Sequence, residues 1–248
     1  MRFDEGLAEA LQKGIVAPTV RLYQWQPWAV SLGHHQDIAD IDALRCAQRG
    51  IDIVRRPTGG RAILHAEELT YSVVMLAGRR SILQVYDDIS SALVKGLNLF
   101  GVEAALQRSQ PNFGEQYRKS SSILCFASSA RYEIEWKGRK LVGSAQRRYS
   151  VGERDVVLQH GSILCGPAHR LLVDVLSLRD EVVVGAMRKE LQEKTTDLST
   201  VRGGAVNIRE LSACIKRGFE LAWGITLTDA SAEEPAVVLS TIERGSYG

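Results

Sequence analysis

Four short segments of the chain combine small residues with side chains that can carry chemistry. A deprotonated cysteine is a nucleophile, a lysine can orient or stabilise a reacting carbonyl group, and a histidine can donate or accept a proton. Paired glycines let a ligand approach the backbone closely, because no Cβ intervenes. In chain order the segments are 55–65, 120–129, 138–146 and 158–164. Each of them also fits an ordinary structural role when it is taken alone.

The first segment reads Arg55-Arg-Pro-Thr-Gly-Gly-Arg-Ala-Ile-Leu-His65. A predicted strand leads into Gly59 and Gly60, and a second predicted strand leaves them and ends at His65. The segment is not a Walker loop, since no Gly-Lys-Ser/Thr follows, and it is not a dinucleotide fingerprint, since no helix opens there. On composition alone, a tight hairpin turn with solvated arginines explains it best.

A lysine and a cysteine mark two further segments. Lys140 begins a predicted strand in Gly138-Arg-Lys-Leu-Val-Gly-Ser-Ala-Gln146, where the neighbouring small residues would let its side chain enter a narrow pocket. The alternative is an edge-strand lysine that discourages aggregation. Cys125 lies in the serine-rich segment 120–129, a more exposed setting than most free cysteines have. In the last segment, 158–164, His160 and Gly161 interrupt a strand.

Composition and charge exclude several classes of protein. Hydrophobic residues make up 45% and charged residues 24% of the 248 residues, which is typical of globular domains. The formal net charge of +2 gives no global basic field, so we expect no nucleic-acid partner. We also expect no membrane span and no signal peptide, because the longest apolar runs are short and residues 1–6 lack the signal pattern. These features predict a cytoplasmic protein.

The four cysteines are widely spaced, with no CxxC pair and no histidine cluster beside them. They predict neither a disulfide framework nor a zinc site, and we expect no metal and no cofactor. A free cysteine with a pKa near ~8.5 is only about 3% thiolate at neutral pH, so a catalytic cysteine needs a nearby cation. The four are Cys46, Cys125, Cys165 and Cys214.

Hydrophobic periodicity predicts a mixture of helices and strands in an α/β (α+β) domain. No linker divides the chain, so we expect one catalytic domain over residues 1–248. We expect 20–25 and 29–32 to be strands joined by a turn, 61–65 to pair with 69–76, and Lys137-Gly138 to close a hairpin. Helices are predicted at 3–13, 41–48, 82–100, 168–176, 180–192 and 207–223, a loop at 107–122, and further strands at 51–54, 131–136, 139–146 and 156–164.

The order and content of the four segments resemble the lipoate/biotin protein ligase superfamily. In that superfamily an Arg-Arg-x-[Ser/Thr]-Gly-Gly loop lines the acyl site, and a Gly-[Lys/Arg]-Lys-hydrophobic-x-Gly-Ser-Ala segment supplies an essential lysine. The corresponding segments here are Arg55–Gly60 and Gly138–Ala145. The resemblance extends from about residue 4 to about residue 190. It implies a mixed β-sheet with helices packed against it.

Within the superfamily, the chain is most similar to the cysteine-dependent octanoyltransferase branch. Gly-Gly-Arg-Ala-Ile-Leu-His stands where ATP-using ligases typically have Gly-Gly-Gly-Ala-Val-Tyr-His, and Glu68-Leu-Thr-Tyr-Ser72 matches the branch. Cys125-Phe126 occurs where the branch keeps its nucleophile. One departure is Ala66, which replaces the usual aspartate after the histidine and precedes Glu67 and Glu68. The role of that carboxylate is therefore open.

The resemblance implies that the protein moves an octanoyl group from acyl carrier protein to a lysine of a lipoyl domain or of glycine-cleavage H protein. Cys125 would form the thioester, and Lys140 would position the acyl carbonyl and shuttle a proton. We expect a monomer. The substrate-binding residues that the resemblance implies are Arg55, Arg56, Thr58, Gly59, Gly60, His65, Gly143, Ser144, Ala145, His160 and Gly161.

Three alternatives remain at this point. An ATP-dependent lipoate or octanoate ligase would form an acyl-adenylate, would need magnesium and would release AMP. An amidotransferase would take octanoyl from H protein and not from acyl carrier protein. A non-catalytic acyl-binding module would transfer no acyl group at any protein concentration.

Overall fold

The computed structural model describes residues 1–107, 133–151, 154–229 and 238–242, with the backbone alone at 151 and 238–242. In this part of the chain, no helix is long and apolar enough to cross a membrane. The α-helices are α1 (Arg2–Gln12), α2 (Ala43–Gln48), α3 (Ile82–Leu99), α4 (Glu181–Lys194), α5 (Leu198–Arg202) and α6 (Ile208–Trp223), with 3₁₀ helices at Ile38–Asp40 and Pro167–Val175. The strands are β1 (Thr19–Tyr23), β2 (Ala29–Leu32), β3 (Asp52–Arg55), β4 (Ile63–His65), β5 (Glu68–Leu76), β6 (Ala105–Gln107), β7 (Glu133–Trp136), β8 (Arg139–Val151), β9 (Arg154–Leu164), β10 (Leu227–Asp229) and β11 (Val238–Ile242).

Within the described residues, the strands form two sheets of unequal size. The large sheet there has eight strands in the order β10-β11-β1-β5-β9-β8-β7-β6, and its paired strands are antiparallel. The small sheet has the order β3-β2-β4, with β2 parallel to β3 and antiparallel to β4. Helices pack against the sheets, so the predicted α/β (α+β) class is confirmed.

Local signals in the sequence set the ends of the long helices. Ser81 and Gln84 form a capping box at the start of α3, each side chain bonding the backbone N–H of the other residue. Asn207 caps the first turn of α6 through its side-chain oxygen. Gly224 ends α6 with a φ of 63°, a conformation that glycine adopts without strain.

The two faces of the large sheet differ in character. One face is apolar and packs against α3 and α6 through residues such as Leu69, Val73 and Ile163. On the other face, α1 covers one end. The remainder of that face carries polar side chains such as His160 and Ser162, which meet residues of the small sheet and its turn. We call this side the polar face; it is where a site can form.

The predicted hairpin at Lys137-Gly138 is confirmed and contains a bulge. Both turn residues have positive φ, 48° for Lys137 and 73° for Gly138, as a two-residue hairpin turn requires. In the ladder, Ile134 pairs with Val142 but Glu135 pairs with Lys140, so Leu141 is an extra residue on β8. Leu141 and Val142 both lie in the apolar core. The bulge therefore places Lys140 on the polar face, together with Gly143.

The predicted pairing of residues 61–65 with 69–76 is wrong, because β4 pairs with β2, whereas β5 pairs with β1 and β9. The two strands predicted within 20–25 and 29–32 are present as β1 and β2, and β1 belongs to the large sheet and β2 to the small one. Alternation of apolar and polar residues identifies a strand, but it does not name the neighbour. Residues 167–175 form a 3₁₀ helix where an α-helix was predicted.

Candidate active site

A cleft lies between the polar face of the large sheet and the small sheet. About 370 Å³ of space not filled by protein atoms lies in this cleft, part of it open to solvent. Residues of β4, β5, β8 and β9 contribute to its walls. It is lined by Met1, Arg56, Ile63, His65, Thr70, Gly143, Ser144, Ala145, His160 and Gly161.

The two adjacent arginines have different surroundings. Arg56 is only 2% exposed. Its guanidinium donates to the carbonyl and hydroxyl oxygens of Ser31 and to the carbonyls of Gly59 and Arg61. Arg55 is exposed, and its Nη1 donates to carbonyl oxygens of the loop 33–36. The explanation by solvated arginines thus fails for Arg56, which shapes the turn and lines the cleft.

The paired glycines pack the turn against a neighbouring loop. Gly60 has a φ of 92°, a conformation that other residues rarely adopt. A Cβ built on Gly33 would overlap the carbonyl oxygen of Gly60, so these two backbones touch directly. Gly59 contributes a carbonyl to Arg56. Gly59 and Gly60 therefore support the cleft wall, and neither is among the described residues that line it.

His65 lies at the centre of a buried polar network. Its Nδ1 donates to Glu68 Oε1 at 2.8 Å, and its Nε2 lies 2.8 Å from the hydroxyl of Ser31. The hydroxyls of Thr70 and Ser162 also donate to Glu68 Oε1. Since both ring nitrogens of His65 contact protein groups, the imidazole is better placed to shape the cleft than to exchange protons with a substrate.

The two carboxylates that follow Ala66 have separate roles. Glu68 is 1% exposed and holds His65. Glu67 is exposed and accepts a 3.1 Å hydrogen bond from the backbone N–H of Ala168, at the start of the 3₁₀ helix Pro167–Val175. The carboxylate next to the buried histidine is thus supplied by Glu68, three residues after His65.

His160 lies on β9 and faces the turn. Its Nε2 is 2.6 Å from the hydroxyl of Thr58. Burial, together with the nearby Arg56 and His65, lowers the pKa of His160 to about 3. The imidazole is consequently neutral at physiological pH and can act as a hydrogen-bonding group, but as a base it is weak. Thr58 itself is buried and is not among the described residues that line the cleft.

The wall formed by β8 and β9 depends on small residues. A Cβ on Gly161 would overlap the carbonyl oxygen of Gly143 and would lie 2.7 Å from the ring of Tyr71. Tyr71 donates a 2.6 Å hydrogen bond to the hydroxyl of Ser144. This bond lies on the apolar side of the sheet, because Tyr71 belongs to the core against α3 and α6. The Ser144 hydroxyl therefore points away from the polar face.

Lys140 is buried and ion-paired. Its ammonium bonds the carboxylate of Glu133 on β7, and both residues are 5% exposed. Its carbonyl accepts a 3.0 Å hydrogen bond from the backbone N–H of Thr196. Lys140 shares the polar face with the cleft but is not among the described residues lining it. It is not the free edge-strand lysine of the alternative explanation.

The structure brings together most of the implied binding residues. Cys125 lies outside the described residues, so its position relative to the cleft stays a prediction. Sequence reasoning gave Glu68 and Thr70 only as part of a matching segment, without a place in the site, and it missed Glu133. The first two could have been assigned to the site, since alternation in β5 places them on one face. No group of three metal-binding side chains occurs within the described ranges. The implied residues that line the cleft are Arg56, His65, Gly143, Ser144, Ala145, His160 and Gly161.

Comparison with known proteins places the chain in a family. The family model for the lipoyl protein ligase A/B catalytic domain matches residues 1–220. A protein of Kyrpidia tusciae named octanoyltransferase LipM is 37% identical over 241 residues, covering 94% of this chain and 86% of the relative. A second octanoyltransferase LipM, from Symbiobacterium thermophilum, is 37% identical over 257 residues, covering 100% of this chain and 90% of the relative.

Solved structures support the fold. A bipartite lipoate protein ligase of Thermoplasma acidophilum superposes with a TM-score of 0.70 at 20% identity, covering 93% of this chain and 83% of that one. A lipoate-protein ligase A bound with ATP superposes with a TM-score of 0.68 at 20% identity, covering 94% of this chain and 85% of that one. Family match and sequence identity agree: the chain belongs to the lipoyl protein ligase A/B catalytic-domain family and, within it, groups with the octanoyltransferases named LipM.

Proposed function

We propose that the chain transfers an octanoyl group from acyl carrier protein to a lysine of a lipoyl domain or of glycine-cleavage H protein, through a thioester on Cys125. Octanoyl transfer is the activity named for relatives that are 37% identical over nearly the whole chain, and it makes this chain an acyltransferase. The choice of donor, acceptor and nucleophile rests on the resemblance around Cys125. We further propose that residues 1–248 act as one catalytic domain, in the cytoplasm and as a monomer.

The observation that carries the proposal is the shared cleft. Segments far apart in the sequence, around Arg56, Gly143 and His160, form the walls of one space on the polar face. These are the segments that the family resemblance assigns to acyl binding. Lys140 lies on the same face, and the bulge at Leu141 separates it from Gly143 along β8.

The other cysteines are poor nucleophiles, which supports Cys125. Burial raises the pKa of Cys165 to about 12, and the nearby Glu68 adds to the effect. Burial also raises the pKa values of Cys46 and Cys214. A raised pKa depletes the thiolate, which is the reactive form. None of these three cysteines lines the cleft.

The reaction balances without ATP. Cys125 loses its proton, its thiolate attacks the carbonyl carbon of the donor thioester, and the carrier leaves as a thiolate that takes up a proton. The neutral amine of the acceptor lysine then attacks the acyl-enzyme, an amide forms, and the amine proton leaves with the restored Cys125 thiol. Only about one lysine amine in a few thousand is neutral at pH 7, so the site must favour that form.

Intact-mass measurement tests the proposal. Wild type, Cys125→Ala and Cys165→Ala are each incubated with octanoyl-acyl carrier protein. We expect one octanoyl adduct, labile to hydroxylamine, on wild type and on Cys165→Ala, and none on Cys125→Ala. Cys165→Ala is the matched control, because it removes one thiol, as Cys125→Ala does, and leaves the proposed nucleophile in place.

Two results would contradict the proposal. If the adduct persists in Cys125→Ala, another group is the nucleophile. If wild type forms no adduct and modifies the acceptor only with octanoate, ATP and magnesium, releasing AMP, the chain is a ligase. Replacing the donor by octanoylated H protein separates the amidotransferase from the acyl-carrier-dependent transferase.

A further inference from the structure

The ion pair between Glu133 and Lys140 is a buried charged contact on the polar face that the proposed chemistry leaves unexplained. Both side chains are about 6% exposed. Removing two charges from water is costly, and a well-packed apolar pair at such positions is often equally stable or more so. A contribution to folding stability is therefore a weak explanation for the presence of this buried ion pair.

The geometry of the hairpin selects Glu133 as the partner. In the ladder between β7 and β8, the residue opposite Lys140 is Glu135. The ammonium nevertheless bonds Glu133, two residues earlier on the same face of β7. Glu133 is buried and Glu135 is only partly so. Burial and the repulsive charge of Glu133 raise the pKa of Glu135, with Lys140 acting in the opposite direction.

Lys140 is held from several directions. Its backbone is fixed by the β7 ladder and by the hydrogen bond that Thr196 donates to its carbonyl. The extra residue Leu141 rotates its side chain onto the polar face. Glu133 then fixes the end of the side chain. A lysine has four rotatable side-chain bonds, so such support is needed to keep its charge at one place.

We propose that Glu133 is a positioning residue for acyl transfer: it keeps Lys140 in the protonated form and fixes the ammonium on the polar face. The inference rests on the proposed function and on the carbonyl-positioning role that the family resemblance implies for Lys140. An opposite charge in contact favours the ammonium, whereas burial favours the neutral amine. Removing the carboxylate of Glu133, one of the groups that Lys140 contacts, would therefore let the lysine lose its proton at lower pH.

This assignment narrows the role of Lys140. An ammonium can donate hydrogen bonds to the acyl carbonyl oxygen and stabilise the negative charge that develops there. It cannot accept a proton from the acceptor amine. That proton leaves with the thiolate of the nucleophile as the amide forms. Lys140 therefore acts as an electrostatic group and not as the general base.

The test compares Glu133→Gln with Glu135→Gln. Octanoyl transfer to the acceptor domain is followed by mass from about pH 6 to about pH 10, a range that includes the usual lysine pKa. We expect the alkaline limb of kcat/KM for Glu133→Gln to move to lower pH by about one unit or more. Glu135→Gln, the matched carboxylate on the same strand, should shift it by less than half as much. Glu133→Asp, which keeps the charge, should restore the position of the limb.

Direct titration of Lys140 provides the second readout. The lysine ¹³Cε resonance that disappears in Lys140→Met is titrated in wild type and in Glu133→Gln, and it should report a lower pKa in the variant. Thermal unfolding of each variant shows whether it is folded. If the folded Glu133→Gln keeps the wild-type alkaline limb, or the Lys140 resonance does not move, the proposal is overturned.

The outcome is independent of the nucleophile. Transfer is measured on the acceptor, so a protein that still transfers octanoyl after Cys125→Ala refutes the thioester and leaves the Glu133 comparison valid. If wild type transfers nothing, the proposed function fails, and the titration of Lys140 alone decides the role of Glu133.

Discussion

The hydroxyl of Thr58 lies 2.6 Å from Nε2 of His160, although 102 positions separate them in the chain. This contact joins the turn that follows β3 to the middle of β9. The ring behind it is buried, and its Nδ1 has no hydrogen-bond partner among the described residues. The cleft wall on this side therefore depends on a histidine that stays uncharged.

Acid should destabilise the protein through His160. Burial lowers its folded-state pKa to about 3, whereas an unfolded histidine titrates near ~6.5. Between these values the unfolded state binds the proton and the folded state does not. Stability is therefore intact above about pH 6.5 and falls as pH decreases, by up to about 1.4 kcal/mol per unit for this residue. His169, whose pKa burial lowers to about 4, acts in the same direction.

Urea unfolding between about pH 7.5 and about pH 5 measures this effect. His160→Asn should have a lower free energy of unfolding at neutral pH and a flatter dependence on pH than wild type. His34→Asn, at an exposed histidine, should keep the wild-type slope. An unchanged slope in His160→Asn would show that His160 is not the group responsible.

Removing Glu68 should cost much more than removing Glu67. Oε1 of Glu68 accepts hydrogen bonds from His65, Thr70 and Ser162, and Glu68→Ala leaves these buried donors without their acceptor. We expect a loss of about 2–4 kcal/mol in the free energy of unfolding. Glu67→Ala removes one helix-end hydrogen bond at an exposed residue, with a loss of about 1 kcal/mol or less. If chemical denaturation shows the same loss of unfolding free energy for Glu68→Ala and Glu67→Ala, the buried network around Glu68 does not have the proposed importance.

A methyl group at Gly161 should damage the cleft wall. The added Cβ of Gly161→Ala would overlap the carbonyl of Gly143 and press on the Tyr71 ring, so β8 or the ring must shift. We expect a loss of about 1–3 kcal/mol in stability and a lower rate of octanoyl transfer. Gly185→Ala is the matched control, since the α4 position has open space around it and should gain about 0.5–1 kcal/mol. A Gly161→Ala variant with wild-type stability and rate would show that the close approach is not needed.

Short-range signals in the sequence determined much of this protein. The strand pattern of β5, the helix predicted at 82–100 and the Lys137-Gly138 turn each depend on a few neighbouring residues, and each is present in the structure. The glycine- and lysine-containing segments, around Gly59 and Lys140, also identified the family that the comparisons then confirmed. Cys125 lies outside the described residues and stays a prediction.

The tertiary structure decided which of these elements meet. The assignment of β4 and β5 to different sheets, the burial of Arg56 and the pairing of Lys140 with Glu133 could not be read from the chain. Each of these features depends on contacts between residues that are distant in sequence, or on the sheet face to which a bulge directs a side chain. A strand pattern specifies alternating faces, but burial against a particular neighbour is a property of the whole packed domain. The sequence therefore identified the side chains that can carry chemistry. Only the packing of the folded domain determined which of them are charged, which are paired and which are exposed to the cleft.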